Sequence, residues 1–331
     1  MNFNTINNAT GTQEGYALVK SCEIKTSKNG SKYLDIVLAD KSGEISAKLW
    51  DYQEGLHKDV VANIIVKVRG QEQSYNGKPQ FKIDRIRPVT ASDGVDYADY
   101  IPSSGYDTAF LTALLQDEID GVQDEGLNAL LKEVFAEYGE KMCVIPAAYR
   151  LHHAIRGGLA THTLSIVQLA KAAAELYPAV DRDLLIAGAL LHDVAKIEEF
   201  EIAPSGLVSG YSLKGELLGH LVMGAMIVER AAEKTELDEK TKMYVQHMLL
   251  SHHGDPQFGA AVKPSFLEAE ILSSLDMLDA KIYEIENSIT TVEPGGFSAR
   301  QWALDDRKFL NHGRRSVTTD VIFPQKGTNE E

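Results

Sequence analysis

The hydrophobic period of this chain changes once, and that change limits the folds open to it. From Tyr16 to about Val89 apolar residues alternate in the short runs YALVKSCEIK, KYLDIVLAD, EISAKLW, NIIVKVRG and QFKIDRIRPV. The runs are punctuated by Lys28-Asn29-Gly30, Lys41-Ser42-Gly43 and Asn76-Gly77. A period of two is that of a strand with one buried face, and the punctuation is that of tight turns. Further on, LNALLKEVFAEYGE, THTLSIVQLAKAAAEL, RDLLIAGALLHDVAKIEEF, GHLVMGAMIVERAAEK and EAEILSSLDMLDAKIYEI carry apolar residues at i, i+3, i+4 and i+7, the spacing of amphipathic helices. The stretch TASDGVDYADYIPSSG between them keeps neither period. A length of 331 residues suits two domains at roughly 150 residues each.

The pattern therefore predicts an all-β domain over residues 1–92, a linker over 93–106, an all-α domain over 107–325 and a flexible tail over 326–331. Five strands in about 75 residues fit a small Greek-key barrel of the OB type, because a sandwich usually takes about seven. The Gly- and Ser-bearing excursion EIAPSGLVSGYSLKG at 201–215 reads as a short hairpin or loop between helices.

A net charge of -15 argues at first against a nucleic-acid partner. The average hides an asymmetry, since residues 1–92 hold 13 Lys and Arg against 10 Asp and Glu, and the excess of acid lies entirely beyond them. A mildly basic module ahead of an acidic one leaves polyanions open as partners. No apolar run approaches the roughly 18 residues of a membrane helix, and the first residues lack a leader pattern, so the expectation is a cytoplasmic protein without a membrane partner. Cys22 and Cys143 are far apart and outside any CxxC, which favours reduced thiols over a disulfide or a zinc knuckle.

Eight of the ten histidines (His152, His153, His162, His192, His220, His247, His252 and His253) fall within residues 152–253. Single helical histidines are commonly structural, but several beside carboxylates point to metal ligation. A nitrogen and oxygen donor set without thiolate favours Mn, Fe, Co, Zn or Ni over a structural zinc. His192-Asp193 ends the apolar run LLIAGALL, which places a charged pair at the inner end of a buried helix. Consecutive helical positions diverge by about 100°, so the histidine can face one ion while the aspartate reaches toward a second. Taken alone, the pair also suits a hydrogen-bonded turn cap.

The order His162, His192-Asp193, His220, His252-His253, Asp276, in the settings GGLATHT, LLHDVAK, GHLVMG, LLSHHG and LSSLDMLDAK, resembles the HD-domain metal-dependent phosphohydrolases. The resemblance implies a first metal on His162, His192, Asp193 and Asp276 and a second on Asp193, His220, His252 and His253. It makes Asp193 and Lys196 the catalytic pair, Lys196 contacting the phosphate or protonating the leaving oxygen. Asp279, one turn beyond Asp276, is expected to orient an imidazole. His153 and Arg156, in LHHAIRGG, are expected to grip substrate phosphates with Lys196, and His247 to be structural.

Exposed aromatics among basic residues are how OB barrels hold single strands. Tyr33, Trp50, Tyr52, Tyr75 and Phe81 are candidates, with Lys48 and Lys78 among the neighbouring cations and Trp50 undecided between core and surface. An N-terminal OB barrel joined to an HD domain, with DKSGEISAKLWD, HHAIRGGLATHT and LLHDVAK, resembles the YhaM family of bacterial 3′→5′ exoribonucleases. The resemblance implies hydrolysis of single-stranded RNA, with single-stranded DNA secondary, to nucleoside 5′-monophosphates. It also implies Mn²⁺ as the favoured ion, with Co²⁺, Fe²⁺, Ni²⁺ or Zn²⁺ allowed, and leaves a homo-oligomer open. Thr161 departs from the carboxylate expected before the first ligand in many relatives. The runner-up reading is an HD phosphohydrolase of small nucleotides that uses the barrel for assembly. A non-catalytic single-strand binder would leave the histidine set unexplained, and a cyclic-dinucleotide phosphodiesterase would carry a GYP tripeptide, which this chain lacks.

Overall fold

The computed structural model describes residues 11–40, 43–75, 78–96, 99–101, 103–149, 151–203 and 205–323. The expected tail at 326–331 lies outside them. The chain forms two compact units, Met1–Pro102 with Ile202–Ser209, and Ser103–Glu201 with Gly210–Glu331.

The first unit is a closed five-stranded barrel, β1 (Gln13–Thr26), β2 (Lys32–Asp40), β3 (Gly43–Leu49), β4 (Ile65–Tyr75) and β5 (Lys78–Pro88), in the order β1-β2-β3-β5-β4. A short helix, α1 (Glu54–His57), joins β3 to β4. β1 is long because it serves two partners. Its first half pairs with β4 and its second with β2, with a register shift between Val19 and Ser21 where it changes over. Inward residues of every strand, Val19, Leu34, Ile36, Leu38, Ala47, Val68 and Phe81 among them, fill the interior. Closure needs a glycine at one point. A Cβ on Gly70, at the β4 bulge, would stand 2.1 Å from the Lys82 carbonyl oxygen and 2.7 Å from the Phe81 ring.

Two expectations change here. Part of the supposed linker is built into the barrel unit. Thr90 and Asp93 form a capping box, Asp93 receives both guanidinium nitrogens of Arg87, and Ile101 is buried with Leu18 and Ile65. The excursion at 201–215 is a hairpin, β6 (Phe200–Ile202) and β7 (Val208–Tyr211), whose tip belongs to the first unit rather than the helical one. Leu207 joins the Leu18–Ile65–Ile101 cluster, the Asn63 amide donates to the Val208 carbonyl at 2.5 Å, and the Ser205 hydroxyl donates to the Asn63 carbonyl. Apolar burial decided both cases, and neither a single leucine nor a single isoleucine stands out from a polar sequence context.

The second unit is helical: α2 (Thr108–Asp120), α3 (Glu125–Met142), α4 (Gly158–Leu176), α5 (Arg182–Leu191), α6 (Lys196–Glu199), α7 (Leu213–Thr235), α8 (Glu239–Ser251) and α9 (Leu267–Ile289). Side-chain caps start most of the long helices, with Asp107, Asp124, Asp181, Ser212 and Asp238 accepting from backbone N–H groups of the first turn. α5 is the central element, buried continuously from Leu184 to Leu191. None of the helices among the described residues is long and apolar enough to cross a membrane.

Gly70→Ala is expected to destabilise the barrel by about 1–3 kcal/mol through overpacking against β5. Urea unfolding followed by Trp50 emission in a Trp302→Phe background measures it.

Candidate metal centre

Three helix ends and one kink bring the histidines together. His192 caps the C-terminus of α5, and its Nδ1–H donates to the Ala189 carbonyl at 2.8 Å. His252 repeats the device at the end of α8, donating to the Leu249 carbonyl at 2.8 Å. The last carbonyls of a helix have no intrahelical donor, so a histidine at the cap satisfies one of them and is fixed by it. His220 follows Gly219, whose φ of 68° and ψ of 159° break α7 in a region only glycine enters readily. The break frees the His220 backbone N–H, which together with Nδ1–H donates to Glu199 Oε1, both at 2.9 Å. His162, in the first turns of α4, donates from Nδ1 to Asp279 Oδ2 at 2.7 Å. In each of the four rings Nδ1 is spoken for and Nε2 is turned inward, the arrangement that fixes a ligating imidazole.

These Nε2 atoms converge on Asp193. Its Oδ2 lies 3.3 Å from His192 and 3.6 Å from His162, while its Oδ1 lies 3.4 Å from His220 and 3.7 Å from His252. Asp276 Oδ1 completes the first side, 3.1 Å from His162 Nε2 and 3.9 Å from His192 Nε2. His253 joins His220 and His252 on the other side, with its Nδ1–H donating to the Phe258 carbonyl at 3.0 Å. Lys196 Nζ sits 2.7 Å from Asp193 Oδ2. One buried carboxylate thus turns a different oxygen to each of two groups of imidazoles.

The residues fit a divalent cation. Asp193 Oδ1, His220 Nε2 and His252 Nε2 are buried without any hydrogen-bond partner, and a buried polar atom left so costs about 1–3 kcal/mol. His162 and His192 face each other through Nε2 at 3.4 Å. Burial keeps His252 well below the usual imidazole range and lowers His253, hence both neutral. Burial would also keep a proton off His162, but Asp276 and Asp279 outweigh it and push its pKa up to about 10. Burial works against the charge of Asp193 as well, yet Lys196 and His192 hold its carboxyl far below the ordinary range. His252 and His253 thus stand as neutral donors beside ionised carboxylates, while His162 carries a proton that a bound ion would displace.

Asp279 accepts from His153 Nε2 at 2.9 Å and from the Ser165 hydroxyl in addition to His162. His153, which LHHAIRGG suggested for gripping substrate phosphates, turns its Nε2 to Asp279 instead. It is 1% exposed, its ring centroid 4.3 Å from that of Tyr283, and it braces Asp279 behind His162. Arg156 is exposed just ahead of α4. Thr161 is buried and donates its hydroxyl to the Gly157 carbonyl at 2.9 Å, serving helix geometry where a carboxylate was expected. His247 accepts from the Ser265 N–H at 3.0 Å through Nε2. The residue that sequence reasoning missed is Glu199. No local signal separates it from Glu198 beside it, since its role is set by the His220 N–H that the break at Gly219 frees.

On the barrel, Trp50 is 42% and Tyr75 62% exposed. Tyr33 is half-buried against Trp50, ring centroids 4.7 Å apart. Phe81 is not a surface aromatic, since it lies wholly in the core. Lys48 Nζ stands 5.0 Å from the Tyr33 ring and 3.0 Å from Asp35, which also pairs with Lys25 at 2.7 Å. Lys25 also pairs with Glu23 at 3.1 Å, so two lysines meet two carboxylates beside the two aromatics. The Lys78 side chain lies outside the described residues.

Glu199→Ala is expected to weaken Mn²⁺ binding by about 10–100-fold, because His220 loses its orienting partner. Glu199→Gln, which keeps an accepting oxygen, should lose less. Titration calorimetry on the metal-free protein reads both.

The sequence pattern of the HD domain family matches residues 159–281, and that of an OB-fold nucleic acid binding domain matches residues 17–89. The chain is similar to proteins named 3′-5′ exoribonuclease YhaM. That of Bacillus licheniformis is 36% identical over 295 residues, covering 89% of this chain and 93% of the relative. Those of Geobacillus sp. and Bacillus subtilis are 36% and 35% identical, covering 94% and 89% of this chain and 94% and 93% of the relatives. An HD domain is a metal-dependent phosphohydrolase domain, and the histidine and aspartate clusters described above could hold its divalent ion. With the barrel, the helical unit and near-complete coverage in agreement, the chain belongs to the YhaM family of 3′-5′ exoribonucleases.

Proposed function

We propose that this chain is a cytoplasmic 3′→5′ exoribonuclease, in which the barrel holds single-stranded RNA and two divalent ions, Mn²⁺ by preference, work at Asp193. The observation that carries the reading is the split of the Asp193 carboxylate. Its Oδ2 faces His162 and His192, its Oδ1 faces His220 and His252, and three of the converging atoms have no other partner. His162, His192, Asp193 and Asp276 would hold one ion, and Asp193, His220, His252 and His253 the other. Such a pair supplies Lewis acidity that activates a water and screens the charge gathering on the phosphate. Two free cysteines, Cys22 and Cys143, support the cytoplasmic placement.

The side chains around the ions have separate tasks. Asp193 keeps the two positions at a fixed spacing, since its own orientation is set by Lys196. Burial disfavours the Lys196 ammonium, but Asp193 raises its pKa and keeps it charged. That ammonium is suited to bind the scissile phosphate and to give a proton to the departing 3′-oxygen. Water adds to phosphorus, the bond to that 3′-oxygen breaks, and a nucleoside 5′-monophosphate leaves a chain one nucleotide shorter. On the barrel, Trp50, Tyr33 and Tyr75 are proposed as stacking surfaces, with Lys48 and Lys78 against the backbone. Arg156 is proposed as a phosphate contact at the helical site.

Incubated with 5′-labelled single-stranded RNA, the protein is expected to give a descending one-nucleotide ladder with Mn²⁺ and intact RNA with chelator. Intact RNA under both conditions would move the reading to small nucleotides. Asp193→Ala should lose the ladder and keep RNA affinity. Trp50→Ala should weaken RNA affinity about tenfold, within the roughly 1–3 kcal/mol of one stacked base, as measured by fluorescence anisotropy.

A further inference from the structure

α6 ends at Glu199, the residue that holds His220, and the chain passes straight into β6 and returns along β7 to Tyr211. The return is pinned at that point. The Ser212 N–H donates to the Glu199 carbonyl at 2.8 Å and the Ser212 hydroxyl to the Glu198 carbonyl at 2.7 Å. Tyr211 is therefore fixed one residue from the support of the metal centre. The charges of Glu199 and Lys196 both reach its phenol, which burial and Glu199 make less acidic.

Its environment is unusual for an aromatic. The ring makes T-shaped contacts with buried Phe200, centroids 5.5 Å and planes 63° apart, and with Tyr149 at 6.3 Å and 75°. Yet Tyr211 is 42% exposed, and its hydroxyl has no hydrogen-bond partner among the described residues. A ring that is neither buried nor hydrogen-bonded, held rigidly beside ionised groups that handle phosphate, is a platform lacking its second layer. Nucleobases supply one, because every base has a π-face and stacking on an aromatic tolerates any sequence. An enzyme that removes whichever nucleotide is last needs that tolerance. The partner segments, Tyr149 before α4 and Tyr211 before α7, come from distant parts of the chain and meet at this point.

We infer that Tyr211, braced by Tyr149 and Phe200, is the stacking platform for the base of the 3′-terminal nucleotide. The inference rests on the exoribonuclease reading and deepens it by naming the side chains that hold the terminal base.

The test compares two 5′-labelled RNAs with Mn²⁺, one ending in an ordinary nucleotide and one whose last nucleotide is abasic with its ribose and phosphate intact. The wild-type protein should cleave the ordinary end about tenfold more efficiently in kcat/KM, chiefly through KM. Tyr211→Ala should lower kcat/KM on the ordinary end by about the same factor and no longer distinguish the two ends. Tyr211→Phe, which keeps the ring, should retain the discrimination, and Mn²⁺ affinity of Tyr211→Ala by calorimetry should match the wild type. Equal cleavage of both ends by the wild type, or undiminished discrimination in Tyr211→Ala, would overturn the platform while leaving the exoribonuclease reading standing. If the wild type releases no nucleotide from either RNA, that reading falls and the platform falls with it.

Discussion

A carboxylate that is 1% exposed needs compensation, and Asp193 is the group around which the helical unit is arranged. Removing an ion from water costs several kcal/mol unless opposite charge and hydrogen bonds replace the lost hydration. Lys196 supplies one charge at 2.7 Å, and four imidazoles supply polar neighbours. Delivering Asp193 to the interior requires a helix with no polar side, which is why α5 is buried along its length. Delivering the imidazoles requires α4, α7, α8 and α9 to reach the same point, each with its ring already tied through Nδ1 or, for α9, with the carboxylates of Asp276 and Asp279. The cost of this preorganisation is visible in the orphaned atoms of Asp193, His220 and His252, which a cation satisfies and a purely structural cluster would not.

Much of this was legible because chemistry and period coincide in the sequence. LLHDVAK sets a charged pair at the end of an apolar run, and a pair in that setting must be interior. The alternation in YALVKSCEIK or KYLDIVLAD likewise fixes which residues of β1 and β2 enter the barrel. What escaped were roles set by tertiary neighbours. His153 sits in a polar stretch that reads as surface, and it is buried because Asp279, 126 residues later, offers it an acceptor. Glu199 reads as one acid in a row of two, and only the break at Gly219 turns a backbone N–H toward it. Leu207 lies among Ser and Gly, so nothing local shows that it belongs to the barrel unit.

The two units bring different physics to one reaction. The barrel offers π-surface at Trp50 and Tyr33 beside the ammonium of Lys48, suited to a flexible strand of any sequence. The helical unit offers a rigid donor set, suited to a charge that must be met at one place. The hairpin from Phe200 to Tyr211 departs from the residue supporting His220 and comes back one residue from it, with its tip counted in the barrel unit.

The central claim is that the two oxygens of Asp193 serve two metal positions. Anomalous scattering from crystals grown with Mn²⁺ tests it directly. The account predicts two peaks, one ligated by His162, His192 and Asp276 and the other by His220, His252 and His253, with Asp193 ligating both. A single peak, or a pair in which Asp193 contacts only one, would contradict it.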